Sequence, residues 1–135
     1  MRAARDAVAA RLRSQIPART VYSGAVPDGN LPARYIVVWS SVGDEESSQM
    51  ADVTDMLTPL VTATSVSRNK NPTVAADEAA WGAEQVRAAL RDWRPALGSV
   101  AWKVRPVASQ PPRRDESIPD TTYFAVEQFT AQHQI

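Results

Sequence analysis

LTPLVTATSVSRNKNPTVAADEAAWGAEQVRAALRDW, residues 57–93, decides the fold. Its opening, Leu57–Arg68, alternates Val and Thr at the period of a strand, with Pro59 confined to the start or to an edge. The period then changes. Asn71 can cap a helix with Pro72 at its first position, or Thr73 can cap it directly; either way Asp77 and Glu78 lie early, near the positive end of the dipole. Ala79, Ala83, Val86, Leu90 and Trp93 recur at spacings of four and three, so one face is apolar and packs on a sheet. Arg87, Arg91 and Arg94 gather where the dipole favours cations, and Pro95 and Gly98 end the helix.

Upstream, residues 3–16 predict a short helix with Ala4, Val8, Leu12 and Ile16 as its narrow apolar stripe, stopped by Pro17. Thr20–Tyr22 is a brief strand leading into the turn-rich GAVPDGNLP. Arg34–Ser41 (RYIVVWSS) is a strand apolar on both faces, which suggests a central position covered on both sides. Downstream, Val100–Val107 and Thr121–Ala131 are strands. Between them Ser109–Asp120, within 108–120, predicts a polar, Pro-rich arm. The expectation is one α+β domain over 1–135. It has two layers: a small mixed or antiparallel sheet of about four to five strands, and one long helix plus the short N-terminal one.

The 135 residues suffice for one buried core. Fifteen basic and fifteen acidic residues cancel, leaving no global field that favours nucleic acid or anionic lipid. Cysteine is absent, which removes disulfides, thiolate metal sites and cysteine nucleophiles. No apolar run approaches the roughly 18 residues of a bilayer span, and Arg11 and Arg13 interrupt the basic N-terminal stretch. A cytosolic chain without membrane or targeting segment is the simplest reading.

Catalytic chemistry finds no residue set. The single histidine, His133, lies near the end of the sequence, where side chains are poorly tethered, and reads as a solvated tail residue. The run Asp44-Glu45-Glu46 has Gly43 before it instead of the internal glycine of a calcium loop. With Asp52 and Asp55 it reads as an acidic loop, either solvated or a surface that repels a polyanion or meets a basic partner. Gly24, Gly29, Gly43 and Gly82 form no phosphate-binding pattern, and Ser14, Ser40, Ser41 and Ser99 lack a nucleophile-elbow context. No catalytic residue, cofactor or metal is expected. Arg2, Arg5, Arg11, Arg13 and Arg19 read as a solvated basic face rather than a DNA site. Trp39, Trp93 and Trp102 read as packing, whereas Trp81 lies off the helix stripe and faces a partner or packs half-buried. Arg113, Arg114, Asp115 and Glu116 suit ion pairs with a neighbouring subunit, with a disordered loop as the alternative.

The order of these blocks resembles the tail terminator (tail-completion) proteins of long-tailed double-stranded DNA phages. The resemblance is carried by the N-terminal helix, VYSGAVPDG, LPARYIVVW, VTATSVSRNKNPTVAADEAAWGAEQVRAAL and RPVASQPPRRDESIPDTTYFAVEQFTA, and covers nearly the whole chain. It is a pattern of blocks without a catalytic signature, and the acidic Gly43–Met56 region departs from it by being longer. The resemblance implies a structural virion protein, assembled in the host bacterial cytoplasm. Such proteins form a homo-oligomeric ring, commonly a hexamer, on the head-proximal end of the tail tube. The partners implied are the tail tube protein, the head connector or stopper, and genomic DNA that passes through the lumen unread. On this reading Arg113–Glu116 and Trp81 serve a subunit interface, while Asp44, Glu45, Glu46, Asp52 and Asp55 form a second patch or line the lumen. A connector, stopper (neck) or other minor tail protein is the alternative, and a small ligand-binding α/β domain is a third reading from another class.

Overall fold

The computed structural model describes residues 2–40, 60–97 and 100–133. In chain order these form α1 (Arg2–Gln15), β1 (Thr20–Ser23), β2 (Arg34–Ser40), β3 (Leu60–Arg68), α2 (Pro72–Leu90), β4 (Ala96–Leu97), β5 (Val100–Arg114) and β6 (Thr122–His133). The strands lie in the order β1-β2-β3-β6-β5-β4, and only β1 and β2 run parallel. This is the expected α+β fold with one long helix and a short N-terminal helix, its mixed sheet gaining the two-residue β4 at one edge. The expected acidic loop, Pro59 and the first residues of the Leu57–Arg68 strand fall outside the described residues.

Both helices cover one face of the sheet. α2 packs on β3, β5 and β6, and α1 packs on β1 and β2. Alternation along each strand sends Val21, Ile36, Val38, Val61, Ala63, Val104 and Phe129 inward to meet Ala4, Val8, Leu12, Ile16, Val86 and Leu90. Each fully buried large aliphatic or aromatic side chain stabilises the fold by roughly 1.5–3 kcal/mol. The α1 stripe is buried as its spacing predicts. On α2, Ala75, Ala79, Gly82, Ala83, Val86, Ala89 and Leu90 are buried, and Trp93 packs against the same core just beyond the helix. Asn71 is the cap: its side-chain oxygen accepts from the backbone N–H groups of Thr73 and Val74. Gly82 lets α2 approach the sheet closely, because a Cβ there would run into Ser65 of β3.

The other face of β2 is covered in part: Val37 is buried and Tyr35 half-buried, whereas Trp39 is 42% exposed. One expectation needs correction. The polar arm is shorter than expected. β5 pairs with β6 up to Arg114–Tyr123, with register shifts at Pro106–Ala108 and Gln110–Arg113, so the connection itself is only 115–121. The prolines are tolerated because β5 is an edge strand past β4: they sit where the ladder shifts or where no outer neighbour needs a donor. His133 pairs opposite Trp102 at the end of β6, so its backbone is part of the sheet.

Candidate functional site

The register gathers charged groups at one end of the sheet. Arg34 opens β2 opposite Ser67, Ser67 pairs with Tyr123, and Tyr123 pairs with Arg114. Strand polarity therefore places Arg34, the Arg68–Lys70 turn, the α2 N-terminus and the 115–121 connection at the same end. β2 leaves this end at Arg34 and reaches the other at Ser40, about 20 Å away at the usual rise per residue. The acidic residues 44–55 follow Ser40 and precede Leu60, so their attachment points lie at the opposite end.

Within the charged end, the α1–β1 corner brings Arg19 against α2. Arg19 retains only 8% exposure, and its guanidinium lies 4.9 Å from the centre of the Trp81 ring. Its Nη2 donates to the Glu78 carbonyl at 3.1 Å, while Nη1 has no hydrogen-bond partner among the described residues. The Glu78 carboxylate is committed elsewhere: Ser67 Oγ donates to its Oε2 at 2.9 Å, and Arg34 Nε stands 3.4 Å from the same atom. Burial, and then the neighbouring charge of Arg34, push the Arg19 guanidinium below its ordinary value, with Glu78 opposing. An open hollow of about 470 Å³ lies over this group, lined by Arg19, Arg34, Val74, Asp77, Glu78 and Trp81. Guanidinium donors over an indole platform suit a carboxylate carried on a partly apolar segment.

A second polar group joins α2 to the edge strand. Glu127 of β6 faces the helix, almost fully buried. Arg87 Nη2 donates to its Oε1 at 2.6 Å, and Ser109 Oγ donates to its Oε2 at 2.5 Å. The hydrogen bond that Arg87 donates to Glu127, and then the charge of that carboxylate, raise the Arg87 pKa. This triad holds the edge strand in register on the helix, so its role is structural. Its signal was present in the sequence: Glu127 occupies an inward position in the alternation Tyr123, Ala125, Glu127, Phe129, where an unpaired carboxylate would be too costly to bury.

The structure places the anticipated residues unevenly. Arg113 and Arg114 are exposed on the last turn of β5, opposite Phe124 and Tyr123. Asp115 folds the connection, its Oδ1 accepting from the backbone N–H and hydroxyl of Ser117, while Glu116 is exposed. Trp81 is 41% exposed, across the sheet end from Arg113–Glu116, so the two groups share an end without touching in one site. Asp44, Glu45, Glu46, Asp52 and Asp55 lie outside the described residues. The N-terminal arginines are more tied down than a solvated face implies. Arg13 donates twice to the Val21 carbonyl, Arg11 donates to the Ala89 carbonyl and lies over Trp93, and Arg5 bonds Ser23, beside Gly24. Arg19 is the residue that sequence reasoning missed, since a buried arginine has no signature separate from the basic cluster around it.

Among the described residues no cluster of histidine and acidic side chains has the geometry to hold a metal, and no helix is long and apolar enough to cross a membrane. Compared with known proteins, the chain matches no family model and no curated protein sequence.

Proposed function

We propose that this chain is a structural subunit of a long-tailed phage or prophage, forming a homo-oligomeric ring that caps the head-proximal end of the tail tube and joins it to the head connector. The observation that carries the reading is the separation of unlike surfaces on one small domain. A buried-arginine hollow and exposed charges lie at one sheet end, and the acidic segment is attached at the other. A head-to-tail ring needs two different patches per subunit, and this domain offers them. The block pattern shared with tail terminators supports the same reading. So does the balanced net charge, which lets DNA pass a lumen without being gripped.

Light scattering on the purified protein, followed by electron microscopy after mixing with tail tubes of the encoding phage, tests the proposal. The expected outcome is a defined ring and density on one end of each tube. A chain that stays monomeric and never sits on tube ends overturns it. Binding to connectors but not to tubes would move the protein to the stopper role.

One observation favours a reading from another class. The sheet face away from the helices carries an apolar hollow of about 360 Å³, lined by Tyr35, Val37, Trp39, Ile118, Phe124 and Val126 among others. That size lies within the range of small-molecule sites. Saturable, stoichiometric quenching of Trp39 by an apolar ligand in a monomeric protein would favour it.

A further inference from the structure

We propose that the hollow formed by Arg19, Arg34 and Trp81 is a carboxylate-binding site, and that its ligand is the acidic segment 44–55 of a second copy of this chain. The inference rests on the ring reading only in making the ligand's bearer another subunit.

The buried guanidinium is the first ground. Arg19 is more than nine-tenths buried, its Nη1 lacks an acceptor among the described residues, and the Glu78 carboxylate beside it already accepts from Ser67 and pairs with Arg34. Leaving a charged donor unsatisfied in a desolvated place is costly, so such a group is expected to gain an acceptor in the assembled state. A carboxylate is the matching acceptor, because it takes two guanidinium donors side by side. Arg34, with its side chain 55% exposed, is placed to supply the outer donor while Arg19 supplies the inner one. Nη1 is out of solvent reach in the isolated chain, so the incoming group reaches it as Trp81 or Arg34, both substantially exposed, turns aside. Val74 and Trp81 offer apolar surface to the ligand's neighbours; Asp77, also on the rim, opposes an acidic ligand and limits affinity.

The second ground is charge complementarity along the strand axis. Residues 41–59 contain five carboxylates, Asp44, Glu45, Glu46, Asp52 and Asp55, and no lysine or arginine. The segment is attached to the end of β2 opposite Arg34. In a head-to-tail array the strand end to which this segment is attached is brought next to the arginine end of the neighbouring subunit. Such an interface is heterologous, as ring closure requires. Met50, Ala51 and Val53 within the segment match the apolar part of the hollow.

The test has two arms. First, the peptide VGDEESSQMADVTDM (residues 42–56) is titrated onto the full-length protein carrying Asp44→Lys, Glu45→Lys and Glu46→Lys, whose own segment no longer competes, while the Trp81 indole N–H resonance is followed, with a peptide carrying Asn and Gln for its acids as control. Saturable shifts at Trp81 are expected with the acidic peptide alone. They should weaken at least tenfold in Arg34→Glu, and again when salt rises from 0.05 to 0.5 M, each figure of the order that loss of one charge pair implies. No shift at Trp81, or equal binding of the neutral peptide, overturns the proposal. Second, oligomer mass is measured for wild type, Arg34→Glu, the triple change Asp44→Lys, Glu45→Lys, Glu46→Lys, and their combination. Either reversal should dissociate the assembly and the combination should restore it. Rings indifferent to both reversals refute this inference and leave the ring reading intact. A wild type that is monomeric at every concentration and never sits on tube ends refutes both, and peptide binding would then mean that the segment folds back onto its own chain.

Discussion

Replacing Gly82 with alanine separates local helix preference from tertiary packing. In an exposed helix the change stabilises by about 1 kcal/mol, because glycine forfeits more backbone entropy than alanine. Here Gly82 lies buried where α2 crosses β3, and the added Cβ would fall on Ser65 Oγ and 3.0 Å from Ser65 Cβ. A rotamer change of Ser65 relieves the first clash but not the second, so α2 must withdraw by a few tenths of an ångström. That withdrawal loosens Ala79, Ala83 and Val86 along the same face. Overpacking of this kind costs about 1–3 kcal/mol. Set against the propensity gain, the net loss is about 0–2 kcal/mol, or up to roughly 8 °C in Tm for a domain of this size. Urea unfolding followed by tryptophan fluorescence measures it. Ser65→Ala on its own removes a buried hydroxyl that has no partner among the described residues and should be neutral or stabilising by up to about 1 kcal/mol. The double variant should recover about 1 kcal/mol relative to the sum of the single changes, since both alter one contact. A Gly82→Ala protein more stable than wild type by the full propensity term would refute the close approach of helix and sheet.

Arg87→Ala leaves the buried Glu127 with Ser109 as its remaining donor; because Arg87 is itself 42% exposed, the loss should be about 2–4 kcal/mol by urea unfolding, and Arg87→Met with Glu127→Leu should regain most of it. Asn71→Ala removes the acceptor for two N–H groups of the first turn and should cost about 1 kcal/mol, with amide exchange rising at Thr73 and Val74. The Tyr35 phenol is pushed above its ordinary value of 10.0 by burial first, then by Tyr22 and Asp115, with Arg68 opposing. The folded chain thus holds that proton more tightly than the unfolded one. Its contribution is complete below about pH 10 and is lost as pH rises above it. Subtracting the Tyr35→Phe titration at 295 nm from that of wild type should isolate a phenol ionising above 10, and a difference curve centred at or below 10 would refute the assignment.

Much of the scaffold was legible because its determinants are periodic and local. The stripe Ala4, Val8, Leu12, Ile16 and the stripe Ala79, Ala83, Val86, Leu90 both face the core because a helix has one repeat and a buried face must follow it. Asn71 before Pro72 marked the start of α2 for an equally local reason. The arm was misjudged because proline argues against a strand from sequence alone, whereas an edge strand with register shifts tolerates it. β2 is apolar on both faces, yet Val37 is buried and Trp39 exposed on the same face, because residue type does not record how far along a strand its cover reaches.

The sequence by itself determined the order of elements, the capped amphipathic helix and the balance of charge, all of which depend on neighbours a few residues apart. Tertiary structure alone decided that Arg19, sixty-two positions from Trp81, lies against its ring, and that Glu127 receives Arg87 and Ser109. It also decided that the arginine end and the attachment of the acidic segment stand at opposite ends of one strand. Those relations depend on register and crossover. A chain of residues carries no record of them until strands have paired and a helix has settled on their face.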